Sequence, residues 1–127
     1  KVVAGDIDAV AVEVSAHNAR LNHAPNALDL YVAPGLRHAK ANRPGRFDLV
    51  FANILAGPLK QLAPSIARVL ARDGTLILSG LLAMDVPGVA SAYRHHGIYL
   101  VSRSLREGWA TLVMKKGGAA PRPRRPA

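Results

Sequence analysis

The sequence has no cysteine, which excludes disulfide bridges and thiolate metal sites. Aromatic residues occupy only 5% of its 127 positions, so a core has to be built from Val, Leu, Ile and Ala. No apolar run approaches the roughly 18 residues that a membrane-spanning helix needs. The opening stretch, KVVAGDIDAV, carries acids too early for a secretory leader, and no cleavage region follows. Together these absences predict a cytoplasmic protein with no membrane association.

Acidic residues are also scarce, and none lies beyond Glu107. The formal net charge is +9, with 17 basic residues against 8 acidic. Lys115, Lys116, Arg122, Arg124 and Arg125 supply five of those 17; without them the balance is twelve against eight, or +4. The globular part is therefore only mildly basic. Residues 117–127, rich in Pro, Gly, Ala and Arg, are expected to form a disordered basic tail. Its charge suits at most a weak electrostatic contact with RNA, and no specific nucleic-acid binding is expected.

Hydrophobic periodicity divides residues 1–116 into alternating elements. Lys1–Gly5 reads as a short buried strand. From Ala9 to Asn22 the spacing is helical. Val10, Val14 and Leu21 form one stripe, and Ala11, Ser15 and Ala19 an adjoining stripe of small residues. Asp8 is placed to cap that helix. A second strand, Leu28–Val32, is followed by a loop to Arg46. Phe47–Ala52 is a strand ending at Asn53. The helix after it, to about Leu70, carries Leu59, Leu62, Ile66 and Leu70 at helical spacing; Pro64 predicts a kink or a late start. Asp73-Gly74 reads as a turn. Thr75–Leu82 is a near-continuous apolar run, as in a central parallel strand covered on both faces. A helix from Asp85 to His96 is expected to end at Gly97 in a left-handed cap. Ile98–Arg103 and Trp109–Lys115 are joined by about five residues, too few for a parallel crossover, so they predict an antiparallel hairpin. The pattern is an α/β, doubly wound sheet.

In such sheets ligands sit beyond the carboxyl ends of strands. Asp6, in VVAGDID, is an acid so placed that it can accept bonds from two ribose hydroxyls. The alternative, that Asp6 and Asp8 merely cap the helix, stays open. Asn53, at the end of the Phe47–Ala52 strand, has a strand-end cap as its local reading. His95 and His96 are adjacent and diverge on a helix, and His17, His23 and His38 lack metal spacing, so no metal site is expected. Ser79 lacks a nucleophile elbow. No phosphate-loop motif occurs. Tyr93 and Trp109 are expected in the core.

Three stretches carry a family resemblance: DIDAVAVEVSAHNARLN with Asn18, Ala19 and Asn22; FDLVFANILAGPLKQLAP, in which a strand ends in Asn-Ile-Leu-Ala; and DGTLILSGLL, followed by Ala92-Tyr93-Arg94 and Gly97. Over residues 1 to about 116 the chain resembles the PrmA family of class I S-adenosylmethionine-dependent methyltransferases, which methylate a large-subunit ribosomal protein. Related enzymes that methylate glutamine carry Asn-Pro-Pro-Tyr where this chain has Asn-Ile-Leu-Ala.

The resemblance implies a Rossmann-like sheet in the order 3-2-1-4-5-7-6, closed by the antiparallel hairpin. Residues 1–116 would supply strands 2 to 7 of a partial catalytic domain, with the first strand and its glycine-rich turn missing. It also implies S-adenosylmethionine as cofactor, Asp6 binding its ribose, and Asn53 facing both the methionine moiety and the incoming amine as the catalytic residue. The implied activity is methyl transfer to lysine or other amino groups of the ribosomal protein. Two rivals are a methyltransferase for another protein lysine, and a non-catalytic remnant that binds a partner and no cofactor. The third strand ends YVAPG, with no acid where many class I enzymes bind the adenine amino group. Without the first strand and turn, residues 1–127 alone are expected to bind the cofactor poorly.

Overall fold

The computed structural model of the chain describes residues 1–117, so all of the expected tail but Gly117 lies outside the described residues. The chain divides into two compact units, one of Lys1–Arg43 and one beginning at Pro44.

The first unit is a β-α-β element. Strand β1, Val2–Asp6, pairs in parallel with β2, Leu28–Val32, in a register that sets Gly5 opposite Tyr31 and Asp6 opposite Val32. Helix α1, Ala9–Leu21, joins them. Its start follows from Asp8, whose carboxylate accepts the Val10 N–H at 2.9 Å. Asp8 thereby satisfies one of the helix's unpaired donors, as its sequence position predicts. Of the two stripes on α1, the small one turns inward: Ala19 is buried, whereas Val10, Val14 and Leu21 are exposed. Small side chains let the helix backbone lie close to the sheet. The unit's core is modest, made of Tyr31, Ala33 and Ala41 with Val3 and Leu36 packed against them. Burial pushes the Tyr31 hydroxyl above its ordinary 10.0.

The second unit is a four-stranded sheet in the order β3-β4-β6-β5. Strand β3, Phe47–Asn53, is parallel to β4, Leu70–Leu82; β6, Trp109–Lys116, runs antiparallel to both β4 and β5, Ile98–Arg106. Helix α2, Ala56–Val69, presents Leu59, Ala63, Ile66 and Val69 to a core shared with Leu76, Leu78, Leu81, Leu112 and Met114. A short 3-10 turn, Ala83–Asp85, leads into α3, Val86–Arg94, which buries Val89 and Tyr93. The Tyr93 hydroxyl donates to the Leu59 carbonyl at 2.7 Å and ties α3 to α2. Its burial raises its pKa well above the ordinary phenol value. Lys116 closes the other end of α2, its ammonium donating to the carbonyls of Ala67 at 2.6 Å and Leu70 at 2.8 Å. These are last-turn acceptors that a cation suits.

Set against the sequence, the strand order within each unit is the expected one: β1 pairs with β2 as strands 2 and 3 should, and β3-β4-β6-β5 matches the order 4-5-7-6. Several details differ. Trp109 is 54% exposed, not a core residue. It begins β6 directly after a tight turn. That turn is two residues, Glu107 and Gly108, both at positive φ (52° and 82°), because β5 runs on to Arg106. It has the handedness that suits a twisted hairpin. Asp73, at φ 59°, marks the expected turn, yet β4 already begins at Leu70. The apolar run of β4 is not covered evenly: Leu76, Leu78 and Leu81 are fully buried, whereas Ile77 is half-buried and Leu82 exposed. Pro64 sits inside α2 on its exposed side, so the helix starts early rather than late.

Candidate functional site

Both candidate residues terminate a parallel strand, one in each unit. Asp6 is the last residue of β1 and is exposed. Its Oδ1 accepts the Asp8 N–H at 2.9 Å, which forms a small turn between strand and helix. The cap itself is Asp8, not Asp6. Among the described residues the second carboxylate oxygen of Asp6 has no hydrogen-bond partner, so an anionic acceptor remains presented at the strand end. That donor–acceptor chemistry fits a ribose diol.

Asn53 is the last residue of β3, paired across to Ser79 of β4. Its side chain is exposed and leans over Gly80: a Cβ built on Gly80 would lie 2.6 Å from Asn53 Oδ1 and 3.2 Å from the Ile54 carbonyl oxygen. The side-chain carbonyl of Asn53 and the main-chain carbonyl of Ile54 thus gather on one small patch at the carboxyl ends of β3 and β4. Apolar neighbours are exposed around it, Phe51 at 70% and Leu55 at 71%. Two acceptors beside apolar surface can hold the N–H groups of an uncharged amine while its carbon chain lies against the apolar side chains.

Gly80 was not singled out by the sequence reading. A glycine inside an apolar strand pattern is the signal that could have found it, since it marks a bulge or a close approach.

Two further interactions of titratable groups lie within the first unit. Asp29 of β2 pairs with Lys40 at 2.9 Å on the surface, and the hydrogen bond from Lys40 holds its carboxyl below the ordinary 3.8. His38 stacks on Tyr31 with ring centroids 5.1 Å apart. Among the described residues no three His, Cys, Asp or Glu side chains gather as a metal cluster. No helix of the described residues is long and apolar enough to cross a membrane.

A parallel β-α-β unit, and a parallel strand pair closed by an antiparallel hairpin, each with a polar residue at a strand end, are parts of a Rossmann-like class I methyltransferase fold. The family model described as ribosomal protein L11 methyltransferase (PrmA) matches residues 1–117. The chain belongs to that family. A ribosomal protein L11 methyltransferase of Mesorhizobium japonicum is 46% identical over 114 residues, 90% of this chain and 39% of that protein. One of Bradyrhizobium diazoefficiens is 44% identical over 117 residues, 92% of this chain and 40% of that protein. The crystal structure of a ribosomal protein L11 methylase from Lactobacillus delbrueckii subsp. bulgaricus superposes with a TM-score of 0.83 at 27% identity, covering 92% of this chain and 58% of that one. The chain thus spans about two fifths of the length of the curated relatives it matches.

Proposed function

We propose that these residues form part of an S-adenosylmethionine-dependent protein methyltransferase that acts on lysine or other amino groups of a large-subunit ribosomal protein, in the cytoplasm. The observation that carries the reading is that the family match spans both Asp6 and Asn53, and each stands at the carboxyl end of a parallel strand.

S-adenosylmethionine, when bound, supplies a methyl group on a sulfonium centre. Asp6 would accept the two ribose hydroxyls through the oxygen that Asp8 leaves unengaged. Transfer of that methyl to an uncharged amine would be an in-line displacement, with the proton of the resulting ammonium passing to water. Nothing on the methyl needs a proton, so these residues have to align rather than protonate. Asn53 Oδ1 and the Ile54 carbonyl would accept the amine's N–H groups and aim its lone pair at the methyl. Alignment of this kind is worth about 7–11 kcal/mol when reactants are well oriented.

The test is methyl transfer from isotopically labelled S-adenosylmethionine to purified large-subunit ribosomal proteins, using the complete polypeptide that contains this chain. The reading expects label on amino groups of one such protein. Cofactor binding with no label on any ribosomal protein, but label on another protein's lysine, would replace the substrate. Absence of cofactor binding would leave only the non-catalytic reading.

A further inference from the structure

The carboxyl end of β4 is irregular where it meets Asn53. Along the β4–β6 ladder Leu78 faces Leu112, but the next pair is Leu81 with Ala110, so Ser79 and Gly80 stand opposite Thr111 alone. Such a bulge bends the strand and re-aims its neighbours. On its other edge β4 stays in register with β3 as far as Ser79 opposite Asn53. Gly80 is the first residue past that pair and lies at φ +82°, a conformation that L side chains rarely adopt. Its bare Cα faces Asn53 Oδ1 and the Ile54 carbonyl, the two acceptors that the proposed function uses, and a methyl there would sit 2.6 Å and 3.2 Å from them.

We propose that Gly80 is a positioning residue for Asn53: the bulged, left-handed glycine leaves the space that the Asn53 side-chain carbonyl occupies, and so sets the direction of that acceptor at the strand end. The catalytic part of this statement rests on the alignment role given to Asn53 above; the contact does not. A methyl group at Gly80 would push the Asn53 amide aside, so it should disturb alignment and leave cofactor affinity intact.

The experiment is a double-mutant cycle of G80A and N53A in the complete polypeptide, read by chemical denaturation, with kcat and cofactor affinity measured for each variant. The left-handed backbone penalises G80A in both backgrounds, but the collision with Oδ1 exists in only one. G80A is therefore expected to lower the folding equilibrium constant about tenfold more in the parent than in the N53A background. It is also expected to lower kcat at least about tenfold with cofactor affinity unchanged, a split that general destabilisation does not produce. If G80A does not fold, recovery of folding in the G80A/N53A pair is the same result in stronger form. An additive cycle, or no recovery in the pair, overturns the proposal. Parental turnover in N53A removes the alignment role of Asn53 under the proposed function, while the cycle still decides the contact.

Discussion

The ring of Tyr31 lies across Gly5, in the space that a side chain on Gly5 would fill. The two residues are partners in the parallel β1–β2 pair, and the tyrosine hydroxyl reaches on to donate to the Gly35 carbonyl at 2.9 Å. Gly5 therefore lets the largest side chain of the first unit's core fold flat over β1, next to Asp6. Replacing Gly5 with Val should expel the ring and cost about 2 kcal/mol, the usual scale of overpacking. Urea denaturation of G5V beside G5V/Y31A checks this. Removing the ring should recover part of the loss, and equal stability of G5V and parent would show that the ring can lie elsewhere.

Asp6 and Asp8 make different bonds before α1: Asp6 accepts the Asp8 N–H and Asp8 accepts the Val10 N–H. Asp8 carries the cap of α1, so Asp8→Ala should cost about 1 kcal/mol of stability and little cofactor affinity. Asp6→Ala should do the opposite, weakening S-adenosylmethionine binding by about 1.5–3 kcal/mol through loss of a charged acceptor. Calorimetry on the complete polypeptide decides. Unchanged affinity in D6A returns Asp6 to a purely local turn role through its bond to the Asp8 N–H.

The Asp29–Lys40 pair gives a pH signature. The folded-state pKa of Asp29 lies below its ordinary 3.8, with the Lys40 hydrogen bond as the leading cause. The contribution is thus present above about pH 4 and lost as pH falls through the depressed value. Asp29→Asn should be slightly destabilising at pH 6, and the gap to the parent should close near pH 2. The bond from Lys40 to the Leu30 carbonyl involves no titrating acceptor and persists. Denaturation curves at the two pH values are the check; a gap that widens in acid would contradict the assignment. The pair is exposed, so the effect is small.

The α/β class was legible because apolar runs alternate with helix patterns, which leaves few topological options; the strand order came from the family resemblance. The closing hairpin followed from a link too short for a crossover, although its turn proved shorter still. Glu107 hid that turn, since glutamate is not a residue that advertises positive φ. The exposure of Trp109, and of Val10 and Val14 on α1, was not legible. Periodicity says which residues share a face but not whether anything covers it. The identities of Asp6 and Asn53 came from motif resemblance and their strand-end positions from the pattern. The Gly80–Asn53 contact was out of reach, because it depends on the parallel register that puts Asn53 opposite Ser79. A bulge one residue further on is a property of two ladders at once.

The central claim is that Asn53 aligns the amine, and single-turnover methylation by Asn53→Ala in the complete polypeptide tests it most directly. The account predicts a rate at least about 100-fold lower than the parent's, because the lost interaction acts mainly in the transition state, with S-adenosylmethionine affinity changed by no more than about twofold. A parental methylation rate accompanied by weakened cofactor binding would contradict it.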